Sequence, residues 1–69
     1  MIIKYFKDTD TLLLIFSHKE IKETKDVDEN TLLELDEKGN LVSMTIEHAK
    51  TRININELTF EQIPAENVQ

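Results

Sequence analysis

The segment from Thr31 to Glu47, TLLELDEKGNLVSMTIE, constrains the fold more than any other part of this chain. Leu33 and Leu35 alternate with Glu34 and Asp36. After the loop Asp36-Glu37-Lys38-Gly39-Asn40, the apolar residues Val42, Met44 and Ile46 alternate with Ser43, Thr45 and Glu47. Successive side chains of a strand point to opposite faces. A period of two on both sides of a Gly-containing loop therefore predicts a β-hairpin. The hairpin places the chain among small antiparallel β domains, with one apolar and one solvated face.

The rest of the chain extends this reading. Ile2 to Lys7 reads as a strand with Ile3 and Tyr5 on one face and Ile2, Lys4 and Phe6 on the other. Asp8-Thr9-Asp10-Thr11 is a run of turn formers, because their side chains compete for backbone hydrogen bonds. Leu12 to Ser17 is a second strand whose first five residues are all apolar, which predicts that both its faces are covered. Glu20 to Val27 is consistent with a helix or with a polar edge strand. The edge strand is favoured, since charged side chains on an edge block sheet-to-sheet aggregation. His48 to Arg52 fits one helical turn. Ile53 to Asn56 alternates as a short strand, and Asn56 is also placed to cap a short helix that ends before Pro64. The expected architecture is a small, mainly β, antiparallel meander of four or five strands with a short C-terminal helix or strand. Residues 1–64 form one β domain, and 65–69 a flexible tail.

Size sets a limit on stability. A chain of 69 residues buries only about 60% of its unfolded surface and is marginal alone. Cysteine is absent, which rules out disulfides and thiolate metal sites and fits a reducing, cytoplasmic setting. Self-association is then the expected supplement. The net charge of −6, with basic residues scattered singly, argues against a nucleic-acid role and suits a basic protein partner. The longest apolar run, Leu12 to Phe16, falls far short of the roughly 20 residues of a membrane span.

Several segments together resemble a known group. They are Asp10-Thr11-Leu12-Leu13, Ile21-Lys22-Glu23-Thr24, Leu33 to Val42 (LELDEKGNLV) and Thr45-Ile46-Glu47-His48-Ala49. In this order they resemble the bacterial family catalogued as domain of unknown function 2283, over roughly Lys4 to Lys50. The resemblance implies a small, mostly β bacterial protein without assigned activity. It brings no catalytic or cofactor residues. It carries a loose association with toxin–antitoxin genes, which would make an antitoxin-like or regulatory role one expectation.

Candidate chemistry is sparse. Asp26 to Glu37 has the acid spacing of a calcium loop. It has Thr31 where such a loop needs Gly, and it runs into a strand, so an acidic turn feeding a strand is the better reading. Glu34, Asp36 and Glu47, with the neighbouring His48, are the candidates for holding a hard cation or small ligand on the hairpin face. A solvated polar face explains the same carboxylates. His18 lies in a turn, and no nucleophile motif accompanies either histidine, so no enzyme activity and no cofactor are expected. The preferred reading is a protein–protein interaction module, assembled as a homodimer. Its interface candidates are Leu13, Ile15, Ile53, Ile55, Leu58 and Phe60. A ligand- or metal-binding module is the alternative.

Overall fold

The hairpin forms as its pattern requires. In the computed structural model, which describes residues 1–65, β4 (Thr31–Leu35) and β5 (Leu41–Glu47) pair antiparallel, with Leu33 opposite Met44 and Thr31 opposite Ile46. Gly39 takes a φ of 85°, which only glycine adopts without strain, and its N–H donates to the Asp36 carbonyl at 3.1 Å. One extra residue, Val42, sits in β5 where the register shifts between Glu34 and Leu35. The Val42 carbonyl at this bulge accepts from the N–H groups of Phe16 (2.8 Å) and Ser17 (3.2 Å).

Three more strands complete one sheet: β1 (Ile2–Phe6), β2 (Thr11–Ile15) and β3 (Glu23–Asp28). The spatial order is β1-β2-β5-β4-β3, all antiparallel. This departs from the expected meander at one step. After β2 the chain crosses the end of the sheet through 16–22, builds β3 on the far edge, and returns through β4 to lay β5 beside β2. Strands β2 to β5 thus form a Greek key. The composition explains the exchange. Strand β5 and the doubly apolar β2 take the interior, while charged β3, exposed along its whole length, takes the edge. The edge strand starts at Glu23 rather than Glu20, because Lys22 still belongs to the crossing and donates from its N–H to the Leu35 carbonyl at 2.8 Å.

Register sorts the side chains. The first face carries Ile3 and Tyr5, Leu12 and Leu14, Met44 and Ile46, and Leu33. The second face carries Ile2 and Lys4, Leu13 and Ile15, Ser43 and Thr45, and Leu32 and Glu34. The second face is not uniformly solvated as the alternation predicts. Ser43 is buried and Glu34 half-buried, because the 16–22 crossing passes beside them.

The expected C-terminal helix or strand is instead two single 3₁₀ turns, Ala49–Thr51 and Ile55–Glu57. The alternating Ile53 to Asn56 segment forms no strand, and its second half opens the second 3₁₀ turn. The second turn is capped by Asn54, whose side chain accepts from the Asn56 N–H at 3.2 Å, and not by Asn56. Residues 66–69 of the expected tail lie outside the described residues. No helix among the described residues is long and apolar enough to cross a membrane.

The buried apolar residues among those described are four: Leu12, Leu35, Val42 and Ala49. Leu12, 1% exposed, is the central one. Leu12→Ala should cost about 2–4 kcal/mol, most of the stability of so small a domain. Leu13→Ala, on the half-exposed second face, should cost less than half as much. Urea unfolding of the two variants checks the ranking.

Candidate functional site

Polar side chains gather at the end of the sheet where β1 turns into β2 and β3 into β4. Asp10 sits in the left-handed region, with φ 56°, which Asp tolerates better than most residues. Its carboxylate accepts from the Tyr5 hydroxyl at 2.6 Å and from the Lys50 N–H at 3.1 Å, and its carbonyl accepts from the Ala49 N–H at 3.0 Å. One residue thus ties β1, the first turn and the C-terminal segment together. The hydrogen bond to Asp10 pushes the Tyr5 hydroxyl up from 10.0 to about 12, with burial and the Asp10 charge adding to it.

The β3–β4 turn is tied in the same way. The Asn30 carbonyl accepts from the Glu47 N–H at 2.7 Å, and its side-chain oxygen lies 3.0 Å from His48 Nδ1. Arg52 Nη1 donates to Asp28 at 3.2 Å and to Thr31 Oγ1 at 2.8 Å. The N–H of Asn30, with Thr31 and Arg52, holds the Asp28 carboxyl below the usual carboxylate range. Beside this end lies an open cleft of about 730 Å³, with Tyr5, Lys7, Lys50, Arg52 and Asn54 among its walls. It places three cations together on a chain of net charge −6.

On the second face a shallower groove of about 440 Å³ runs between Leu13, Ile15 and Ile21, with Glu34 in its wall. Ser43 donates its hydroxyl to the Glu34 carboxylate. This leaves part of the carboxylate's hydrogen-bonding capacity unused, in a groove that Ser17, Lys19 and Thr45 also line. His18 borders the same groove.

The four cation-binding candidates do not converge. Glu34 stands on the second face, where Ser43 donates to it. Asp36 is not on the strand face but inside the hairpin loop, where it accepts from the N–H groups of Asn40 (2.8 Å) and Lys38 (2.9 Å). Glu47 and His48 stand at the opposite end of β5, about 20 Å away along the strand. Among the described residues no group of three or more His, Asp or Glu side chains could hold a metal ion. The acidic spacing from Asp26 to Glu37 is two paired strands and a turn, which cannot wrap an ion. No buried side-chain nitrogen or oxygen among the described residues lacks a hydrogen-bond partner.

The interface candidates divide between the two faces. Leu13 and Ile15 belong to the second face. The C-terminal segment lies against the first: Ile53 and Ile55 line the cleft with Tyr5, and Phe60 lies beside Ile3. Leu58 and Phe60 are 44% and 64% exposed. The clamp residues Tyr5, Asp10, Asn30 and Arg52 were not marked by any sequence pattern. The only hint was the Asp-Thr turn at Asp10.

Two outcomes follow from these carboxylates. Tyr5 is the single tyrosine and the chain has no tryptophan, so ultraviolet titration of the phenolate reads Tyr5 alone. Its midpoint should lie near 12, and Asp10→Ala should return it toward 10.0 and destabilise the fold. The Asp36 carboxyl is also held low, first by the Asn40 N–H, then by the Asn40 side chain, the Lys38 N–H and the Lys19 charge. A carboxyl lowered on folding stabilises above its unfolded value, and that contribution fades as pH falls through the folded one. Urea midpoints should therefore drop below about pH 4, and Asp36→Asn should flatten that drop.

Neither the curated proteins nor the solved structures contain a match to this chain. The sequence profile of one family, described as "Protein of unknown function (DUF2283)", matches residues 2–50. The match spans all five strands and the Asp10 clamp, and it ends within the first 3₁₀ turn. The chain belongs to this DUF2283 family.

Proposed function

We propose that this chain is a protein-interaction module that completes its hydrophobic core against a second protein surface, in the first instance another copy of itself. One observation carries the reading. The chain exposes 5622 Å². A compact protein of 8.1 kDa exposes about 4500 Å², so the excess is about 1,100 Å². A stable interface covers about 800 Å² per partner, which this excess would supply.

The shape agrees. The radius of gyration is 14.4 Å, where a compact chain of this length comes to about 11 Å. The extensive contacts between elements are those of neighbouring strands alone. A stable domain needs two packed layers, and here the chain supplies only one. Ile2, Ile3, Phe6, Phe16, Phe60 and Ile63 are all at least 38% exposed.

On this reading the two faces divide the work. The first face, with the C-terminal segment, serves self-association. The second face, with Leu13, Ile15 and the Glu34 carboxylate, is offered to a partner with basic side chains. A lysine or arginine can lay its apolar stem along such a groove and set its charge against a carboxylate. A basic toxin would be one partner of this kind.

Light scattering behind size exclusion, over a range of concentrations, tests the reading. The expected mass is twice the 8.1 kDa of the chain. A monomer at every concentration, with no protein co-purifying after co-expression with neighbouring genes, would overturn it.

A further inference from the structure

The two edges of the sheet are built differently. The β3 edge carries Glu23, Lys25, Asp26 and Asp28 in six residues, and a register shift between Asp26 and Asp28 interrupts its ladder. Charges and bulges are how natural sheets prevent another strand from adding. The β1 edge has no bulge and a single charge, Lys4, in its five residues. It reads Ile2-Ile3-Lys4-Tyr5-Phe6, pairs regularly with β2 alone, and leaves Ile2, Ile3 and Phe6 more than 40% exposed. An edge of this composition accepts a further strand.

The chain carries a segment of matching character. Past the second 3₁₀ turn, 58–65 contains no helix or strand, and Leu58 at its start has extended φ and ψ of −66° and 128°. Among the described residues its N–H and C=O groups make no backbone–backbone hydrogen bond. Leu58 and Phe60 alternate as strand residues do, and Ile63 is 80% exposed. Unpaired backbone beside exposed apolar side chains is the unfinished half of a strand pairing.

Charge makes the two halves complementary. From Asn56 to Ala65 the charged residues are Glu57 and Glu61, both acidic. From Ile2 to Lys7 they are Lys4 and Lys7, both basic. None of the four forms an ion pair among the described residues. Set antiparallel on β1 with Glu57 opposite Lys7, the segment brings Glu61 opposite Ile3, one position from Lys4, so the acids of the arm lie within a Debye length of the bases of the edge.

Within one chain the pairing stays incomplete. The root of the segment is fixed above the first face by Ala49 and Lys50 on Asp10 and by Arg52 on Asp28 and Thr31. Phe60 lies beside Ile3 without a backbone pairing to β1 among the described residues, and both stay exposed. We infer that the 58–65 segment of one copy adds to the β1 edge of a second copy, and reciprocally, in a two-fold dimer closed by exchanged arms. This rests on the self-association proposed above and names its contact. A two-fold exchange uses both arms and both open edges and leaves none to propagate.

Paired charge reversals test it. All four residues are exposed, so the variants should keep the circular dichroism of the unmodified chain. Glu57→Lys/Glu61→Lys and Lys4→Glu/Lys7→Glu should each weaken the dimer about tenfold or more, because arm and edge then carry like charge. An equimolar mixture should recover the dimer as a heterodimer, identified by its intact mass. Variants that dimerise like the unmodified chain would overturn the arm exchange while leaving self-association standing. Variants that weaken but do not recover on mixing would overturn it too, since the charges then act within one chain. A monomeric unmodified chain would remove both the exchange and the self-association on which it rests.

Discussion

A sheet needs something to lie on, and all five strands among the described residues belong to a single sheet. Burial of apolar area is the main favourable term in folding. Here Leu12, Leu35, Val42 and Ala49 are the apolar residues that escape water among the described residues. So thin a core leaves much of the definition to the turns. At the ends of the strands, Asp10, Asp28 and Asp36 each accept backbone N–H groups, and Asp10 and Asp28 reach further to Tyr5 and Arg52. Charge-assisted hydrogen bonds of this kind are about twice as strong as neutral ones. Part of the acidity of the chain is therefore architectural.

How far this was legible depends on the range of the interaction. The β4–β5 hairpin could be read because its alternation and its Gly39 turn lie within 17 residues of one another. The β3 edge could be read because edge position and charge go together. Strand order could not, because it depends on Phe16, Ser17 and Lys22 bonding to Val42 and Leu35 across the sheet end. The same crossing buried Ser43, which alternation alone had placed in solvent. Asp10 remained hidden for a similar reason. Its partners are Tyr5, five positions away, and Lys50, forty positions away, and a short motif has no access to that distance. The sequence pointed to Asn56 as a cap, and the structure places the cap two residues earlier, at Asn54.

The candidate site was read least well, because proximity in a carboxylate-rich sequence does not imply convergence in space. Glu34, Asp36 and Glu47 lie on one hairpin, yet Asp36 turns into the loop while Glu47 sits at the other end of β5. The alternative of a cation site required a cluster. The hairpin spreads its acids along its length instead, where Glu34 meets a hydroxyl and Asp36 meets backbone amides.

The family match ends at residue 50, and the chain beyond it does a different job. Residues 2–50 make the sheet, while 51–65 lie against its first face without finishing its cover. The joint between them is Asp10, which holds β1 through Tyr5 and the later segment through Lys50. A single carboxylate thus couples the geometry of an open sheet edge to the root of an unpaired arm. Any partner that binds the folded chain stabilises it by mass action. With a core this small, that linkage supplies stability the isolated sheet lacks, so in the proposed assembly folding and association are one equilibrium rather than two.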